Sequence, residues 1–460
     1  MLEAATPSLL RHADRALPQR IAESMRARDG GVLDNAGFQD WLDERCRRQG
    51  QTVRRIPFDE LRGWGFVTGT GNLTHHSGRF FSVEGLHVRT EFGPVAEWYQ
   101  PIINQPEIGI LGIAVREIDG LLHCLMQAKI EPGNVNGVQL SPTVQATKSN
   151  YSRVHQGNAV PYLALFRDRQ RHRVLADVLQ SEQGSWFYHK RNRNMVVEVG
   201  DDVEAGEDFC WLTLGQLHEL LRVDNLVNMD ARTVLSCVPA ADEDVSAGSL
   251  NTTVEILSWI TTRQVEHDVR TERIPLLDVK SWHRTDTELR HELGVYFSVM
   301  AVDVTANSRE VSAWTQPLVE PHGVGLSVLF VQRFGGVLHG LFNARAEPGY
   351  LNVVELAPTV QCTPENYAHL PAHAQPPFLE HVRAHRPKQV LFDVELSEEG
   401  GRFYHARSRY LIIEVGDDFI AGDRPDYRWL TLHQVTGLLR HSHYVNVQAR
   451  TLVACLRGLR

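Results

Sequence analysis

GILGIAVREIDGLLHCLMQAKIEPG, residues 109–133, decides how the chain folds. Two apolar, β-branched runs, Gly109 to Ile118 and Leu121 to Ile130, flank Asp119-Gly120, a two-residue turn signal for an antiparallel hairpin. The pattern is written again further on, with Gly335-Gly336 at the turn and Glu347-Pro-Gly in the place of Glu131-Pro-Gly. Outward from this hairpin, residues 41 to 237 return in altered form between 259 and 455. Trp41 returns as Trp259, Trp64 as Trp282, and Trp98-Tyr-Gln-Pro as Trp314-Thr-Gln-Pro. Ser181-Glu returns as Ser397-Glu, and Trp211-Leu-Thr-Leu as Trp429-Leu-Thr-Leu. A period of about 200 residues is domain-sized, so a whole domain is duplicated. Residues 1–240 form the first copy with an N-terminal arm, and residues 241–460 the second. The small, acidic stretch from Pro239 to Leu250 reads as the linker.

Each copy opens with a helix around its first tryptophan, Gly37 to Gln49 and Ser249 to Gln264. A second hairpin joins Val174–Ser181 to Trp186–Val199, and its counterpart joins Val390–Ser397 to Phe403–Val415. A short strand, Trp211-Leu-Thr-Leu, then leads to a helix from Gly215 to Arg222 that the threonine can cap. Hairpins with a few flanking helices make the fold class α+β.

With 460 residues, 42% hydrophobic and 22% charged, the composition is that of a globular protein able to bury two cores. The net charge of −9 carries no basic run, which excludes a nucleic-acid-binding stripe. No apolar run approaches the roughly 18–20 residues a membrane helix needs, and no apolar signal core follows the first charges. A cytoplasmic location is expected. The six cysteines contain no C-x-x-C pair, and matched Cys237 and Cys455 read as buried free thiols.

Period-two alternation sorts the chemistry-bearing residues by face. Gln127, Lys129 and Glu131 share one side of their strand, and Asn343, Arg345 and Glu347 repeat the order amide, cation, carboxylate. The alternative is a solvated outer face. Thr143 and Gln145, with counterparts Thr359 and Gln361, are neutral donors and acceptors suited to sugar hydroxyls or a base edge, although the threonines equally suit a turn. Phe187, His189, Arg191 and Arg193 read as one face and survive as Phe403, His405, Arg407 and Arg409, while Tyr188 on the other face survives as Tyr404. Paired arginines suit a diphosphate, against the plainer reading of surface ion pairs with Glu198 and Glu414. His75-His76, His381 with His385, and His441 with His443 lack a matched ligand set, so no metal is expected. No G-x-G-x-x-G, P-loop or G-x-S-x-G motif occurs.

Three stretches carry a resemblance: EPGNVNGVQLSPTVQ (131–145), WFYHKRNR (186–193) and YVNVQAR (444–450). Together they closely resemble the NDP-hexose 2,3-dehydratase family of deoxysugar biosynthesis in antibiotic-producing bacteria, over about residues 35–458. The resemblance implies tandem Nudix-like domains, a homodimer, a dTDP-4-keto-6-deoxyglucose substrate and two nucleotide-sugar pockets, one of them catalytic. It also implies an unstable diketo product handed to an NADPH-dependent 3-ketoreductase. The R-E-x-x-E-E cluster of Nudix hydrolases is missing, which disfavours magnesium-dependent hydrolysis. A non-catalytic nucleotide-sugar-binding protein is the remaining alternative.

The implied chemistry abstracts the proton on carbon 3 and expels the hydroxyl on carbon 2, which needs a base, an enolate stabiliser and an acid but no redox cofactor. Lys129, Glu131, Tyr188 and His189 are the catalytic candidates. Gln127, Thr143, Gln145, Arg191 and Arg193 are expected to bind substrate, as are Arg345, Glu347, Thr359, Gln361, Tyr404, His405, Arg407 and Arg409. Lysine can exchange a proton where arginine stays cationic, so Lys129 against Arg345 places the chemistry in the first copy.

Overall fold

The hairpin forms as written: strands Gly109–Ile118 and Leu121–Ile130 pair antiparallel, with Ala114 opposite Leu125 and Ile118 opposite Leu121. Asp119 and Gly120 both take positive φ, 50° and 79°, the turn geometry that continues the twist of the strands it joins. The computed structural model describes residues 14, 16–91, 93–148, 159–167, 172–239, 248–307 and 311–459. Most of the expected linker and the first part of the arm lie outside them. Around the hairpin a mixed sheet runs in the order Arg173–Ser181, Arg191–Glu198, Gly109–Ile118, Leu121–Ile130, Phe209–Thr213. Its second and third strands are parallel, and the other neighbours antiparallel. The second copy builds the same sheet from Val390–Ser397, Arg407–Glu414, Gly325–Phe334, Val337–Ala346 and Tyr427–Thr431. The helix Leu214–Leu220 starts at a capping box made by Thr213 and Gln216, and Leu432–Leu438 repeats it with Thr431 and Gln434.

Strand pairing crosses the repeat boundary in both directions. Gln51–Ile56 of the first copy pairs with Phe297–Ala306 of the second, and Val269–Ile274 of the second pairs with Ser82–Thr90 of the first. The core crosses as well. One apolar cluster runs through Ile113, Val196 and Val234 of the first copy and Leu329, Ile412 and Leu452 of the second. At its centre Arg232 and Arg450, both 0% exposed, reach into the opposite copies. Arg232 donates to Ser397 O (2.8 Å) and Thr451 Oγ1 (3.2 Å); Arg450 donates to Ser181 O (2.5 Å) and Thr233 Oγ1 (2.6 Å). The guanidinium fork thus satisfies buried carbonyls that would otherwise be left bare.

The retained Glu-Pro-Gly has a packing cause. Gly133 N donates to Gly400 O (2.7 Å) and Gly133 O accepts from His405 N (2.8 Å). Gly349 makes the mirrored bonds to Gly184 O and from His189 N, both 2.8 Å. A Cβ at Gly133 would lie 1.7 Å from Phe403 O, and one at Gly349 1.8 Å from Phe187 O. Only glycine admits this close approach of two backbones.

One expected strand is divided. Phe187–Tyr188 pairs in parallel with Glu97–Asn104, then His189 at φ 53° redirects the chain so that Arg191–Glu198 joins the large sheet. His405 repeats the turn at φ 51°. The alternation expected through residues 187–193 is therefore broken at the histidine. Among the described residues no helix is long and apolar enough to cross a membrane, and Cys237 and Cys455 are buried free thiols.

Candidate active site

Glu131, 5% exposed, directly follows the second strand of the first hairpin. Its Oε1 accepts from Gln145 Nε2 at 2.9 Å and lies 3.8 Å from Lys129 Nζ, which also reaches Gln145 O at 3.4 Å. Gln145 Oε1 accepts from Asn228 at 3.2 Å, and Asn228 caps the helix Met229–Ser236. The second copy repeats this chain: Asn446 to Gln361 at 2.8 Å, Gln361 to Glu347 at 3.0 Å, and Arg345 to the same carboxylate at 2.8 Å. There, however, Tyr350 stands where the first copy has Asn134. Its ring is 3% exposed and its hydroxyl accepts from Asn446 at 3.1 Å, so an aromatic side chain occupies the second crevice.

A cavity of about 420 Å³ opens over Lys129, Glu131 and Gln145, and both copies line it. The first copy also contributes Glu182, Lys190 and Asp230, and the second contributes Trp314, Gln316, Glu399 and Arg402. Trp64, Phe80, Phe81 and Phe187 add aromatic surface. Arg402 stacks over Phe81 with its guanidinium carbon 4.5 Å from the ring centre.

The acids of this cavity are crowded and short of partners. Asp230 Oδ1, Glu182 Oε2 and Glu399 Oε2 are buried without a hydrogen-bond partner. Burial raises the Asp230 carboxyl well above its ordinary range, and the charges of Glu182, Glu399 and Glu131 push the same way. Burial also raises Glu182, against the pull of Arg450 and Lys190. Glu399 is pushed up to about 7 by burial, with Glu131 adding to it. Burial takes Lys190 down to about 8, although Glu182 and Glu107 favour its charge. Its amine donates to Glu107 O at 2.5 Å, and Asn192 donates to Glu182 at 2.7 Å. Glu399 and Lys190 are thereby brought toward neutrality, where a group can exchange a proton.

The other expected site residues lie elsewhere. Gln127 is on the strand but outside the cavity lining, with Ser141 Oγ 3.5 Å away. Thr143 bridges two strands, donating to Leu125 O at 2.5 Å and accepting from Ala114 N at 2.9 Å; Thr359 does the same with Leu341 and Phe330. Tyr188 and His189 stack on one another 4.0 Å apart beside Arg273, outside the cavity, and Tyr404 with His405 repeats the stack beside Arg55. Burial and then Arg273 and Arg191 lower the His189 pKa. Arg193 is bidentate to Asp177 at 2.6 and 2.7 Å, and Arg409 to Asp393 at 2.8 and 2.6 Å, so the arginine partners are these aspartates, not Glu198 and Glu414. Arg407 pairs with Glu395 at 2.8 Å. Arg191 stands near His443, whose pKa falls to about 4 through burial and then that charge. Neither Arg191 nor Arg193 lines the cavity. Among the described residues no three His, Cys, Asp or Glu side chains are grouped to hold a metal.

Reading the sequence for retained residues missed Asp230, Lys190 and Glu399. The signal was their replacement: Gln448 stands for Asp230, Ala406 for Lys190, and Gln183 for Glu399.

A partly enclosed pocket with proton-sharing acids and amines over an aromatic wall defines an acid–base enzyme for a small polar substrate. The chain belongs to the NDP-hexose 2,3-dehydratase family, whose sequence pattern matches residues 35–238 and again 253–456. It is 52% identical over 461 residues to a dTDP-4-dehydro-6-deoxy-α-D-glucopyranose 2,3-dehydratase of Saccharopolyspora spinosa, covering 96% of this chain and 95% of the relative. The enzyme of that name from Amycolatopsis orientalis is 50% identical over 97% of this chain and 95% of its own length. The one from Streptomyces violaceoruber is 47% identical over 93% and 98%.

Proposed function

We propose that the protein is a dTDP-4-keto-6-deoxyglucose 2,3-dehydratase and that the composite cavity is where it acts. The observation that carries this reading is the convergence of Lys129 and Glu131 with buried acids in a pocket sized for a sugar, within a family of sugar-nucleotide dehydratases. The carbon 4 ketone acidifies the proton on carbon 3. Glu131 takes that proton, and Lys129 stabilises the negative charge developing on the ketone oxygen. The C2–O bond then breaks, water departs, and the enol left between carbons 2 and 3 becomes a 3,4-diketone. His189, outside the cavity, is not needed as base. Arg62 and Arg402 line the cavity with guanidinium groups suited to the diphosphate, the role first expected of Arg191 and Arg193.

The second-copy crevice keeps the Asn–Gln–Glu chain but holds Arg345 and the buried Tyr350, which supports placing turnover in the first copy. A Nudix-like grouping of each copy is supported by the parallel strand pair set within an otherwise antiparallel sheet. A homodimer and transfer of the reactive diketone to an NADPH-dependent 3-ketoreductase complete the reading; light scattering of the purified protein tests the first. For the activity, incubation with dTDP-4-keto-6-deoxyglucose, a trapping ketoreductase and its NADPH must give a product that has lost one water and gained two hydrogens. Recovery of unchanged substrate would leave a binding protein only.

A further inference from the structure

We propose that Asp230 is the acid that protonates the departing carbon 2 hydroxyl, and that the second copy completes this acid by lending Glu399. The proposal rests on the dehydratase reading above and adds the identity of a catalytic group. Asp230 sits in the first turn of the helix Met229–Ser236, 4% exposed, with Oδ1 unpartnered and the side chain lining the cavity. An unpaired buried carboxyl is costly unless it is held neutral, and a neutral carboxyl carries the proton an expelled hydroxide needs. The groups that face it push it toward the neutral form. Glu131 and Lys129 come from the hairpin strand, Glu182 and Lys190 from the next hairpin, and Glu399 from the turn after Val390–Ser397. Four carboxyls, Asp230 included, share this cluster with two amines and the Arg402 guanidinium, while Arg450 acts on Glu182 from behind; Asp230, with an oxygen left unpartnered, is the acid that favours keeping its proton.

The duplication argues the same point. Where the second crevice takes its equivalents, Asp230 is replaced by Gln448 and Glu399 by Gln183, both amides that cannot donate an acidic proton. Gln139 and Glu355 differ in the opposite sense, so the pattern is not a general loss of acids from the second copy. Glu399 reaches the first pocket because Gly133 and Gly400 bond across the copies, which seats the turn over Glu131. In the step itself the Asp230 O–H bond breaks as the C2–O bond breaks. The proton joins the leaving oxygen as water, and Asp230 regains a proton from solvent before the next turnover.

The test separates proton removal from water loss. Wild type and Asp230→Asn are incubated with dTDP-4-keto-6-deoxyglucose in deuterated water, with deuterium at carbon 3 of recovered substrate and diketone formation both measured. Binding of thymidine diphosphate by calorimetry controls for folding. The expectation is that Asp230→Asn loses dehydration at least about a hundredfold while carbon 3 exchange continues. Loss of both with binding intact makes Asp230 the base and overturns the proposal, as does dehydration near the wild-type rate. If Asp230→Asn does not fold, the pH profile of Glu399→Gln decides. Removing one negative neighbour makes Asp230 more acidic, so the alkaline limb of kcat/KM moves to lower pH; an unmoved limb overturns the assignment. Wild-type protein that neither exchanges nor dehydrates would instead remove the dehydratase reading, and this assignment with it.

Discussion

Replacing Gly133 by alanine tests why Glu-Pro-Gly is written twice. Gly133 has no positive φ to protect, so its conformation is open to alanine, and the effect falls on the space beside it. The new methyl would stand 1.7 Å from Phe403 O and 2.8 Å from Gly400 O, both backbone atoms of the other copy. The two segments must separate, which breaks the bonds from Gly133 N to Gly400 O and from His405 N to Gly133 O. Two backbone hydrogen bonds contribute about 1 kcal/mol each, and a stranded buried group adds about 1–3 kcal/mol, giving a loss of roughly 3–5 kcal/mol. Urea unfolding followed by tryptophan fluorescence should show the midpoint falling with the slope unchanged. Because Gly400 follows Glu399, dehydration should fall with it. Gly437→Ala is the control: it lies in the helix Leu432–Leu438 with nothing within 4 Å of the added carbon, and should stabilise by about 0.5–1 kcal/mol. A Gly133→Ala protein with the wild-type midpoint would refute the close-approach argument.

Four further outcomes follow. Lys129→Ala should lower turnover about 10²–10³-fold, the usual effect of losing a charge that stabilises a forming oxyanion. Arg345→Ala should leave turnover within a few fold, and equal losses in steady-state rates would contradict the assignment of chemistry to the first copy. Arg193→Ala, which gives up a partly exposed pair with Asp177, should cost no more than about 1 kcal/mol and leave thymidine diphosphate affinity unchanged by calorimetry. His218 is held down from 6.5 to about 4 by burial, with Arg457 and Arg28 adding to it. The unfolded chain takes up this proton between those values and the folded chain does not, so stability falls as pH drops through the window. Against wild type, His218→Gln should lose about 2 kcal/mol less between pH 7 and pH 5 in urea unfolding.

Local periodicity and turn chemistry carried much of the secondary structure: the 109–130 hairpin and the Thr213 cap stand where alternation and capping residues put them. The exchange of Gln51–Ile56 and Val269–Ile274 left no such mark. A strand's own alternation says which face is buried but not which partner edge it meets, and two related copies offer equivalent edges. His189 was the other blind spot. A histidine in the left-handed region is a weaker turn signal than glycine, so the face assignment ran on through it to Arg191 and Arg193, which lie outside the cavity lining.

Retention across the duplication turned out to record two different demands. Thr143, Gly133 and Arg232 match Thr359, Gly349 and Arg450 because each satisfies a backbone group or a close approach that both copies need. Glu131 and Gln145 match Glu347 and Gln361 because both crevices keep the same hydrogen-bonded chain. A residue needed only where protons move has no reason to be kept twice. Lys129, Lys190 and Asp230 correspond to Arg345, Ala406 and Gln448, and the acid Glu399 lies on the second copy, whose turn bonds to Gly133 and walls the first pocket. In a duplicated chain whose copies interlock, residues that differ between copies are candidates for the chemistry alongside those that agree, once the structure shows which copy's turn closes which pocket.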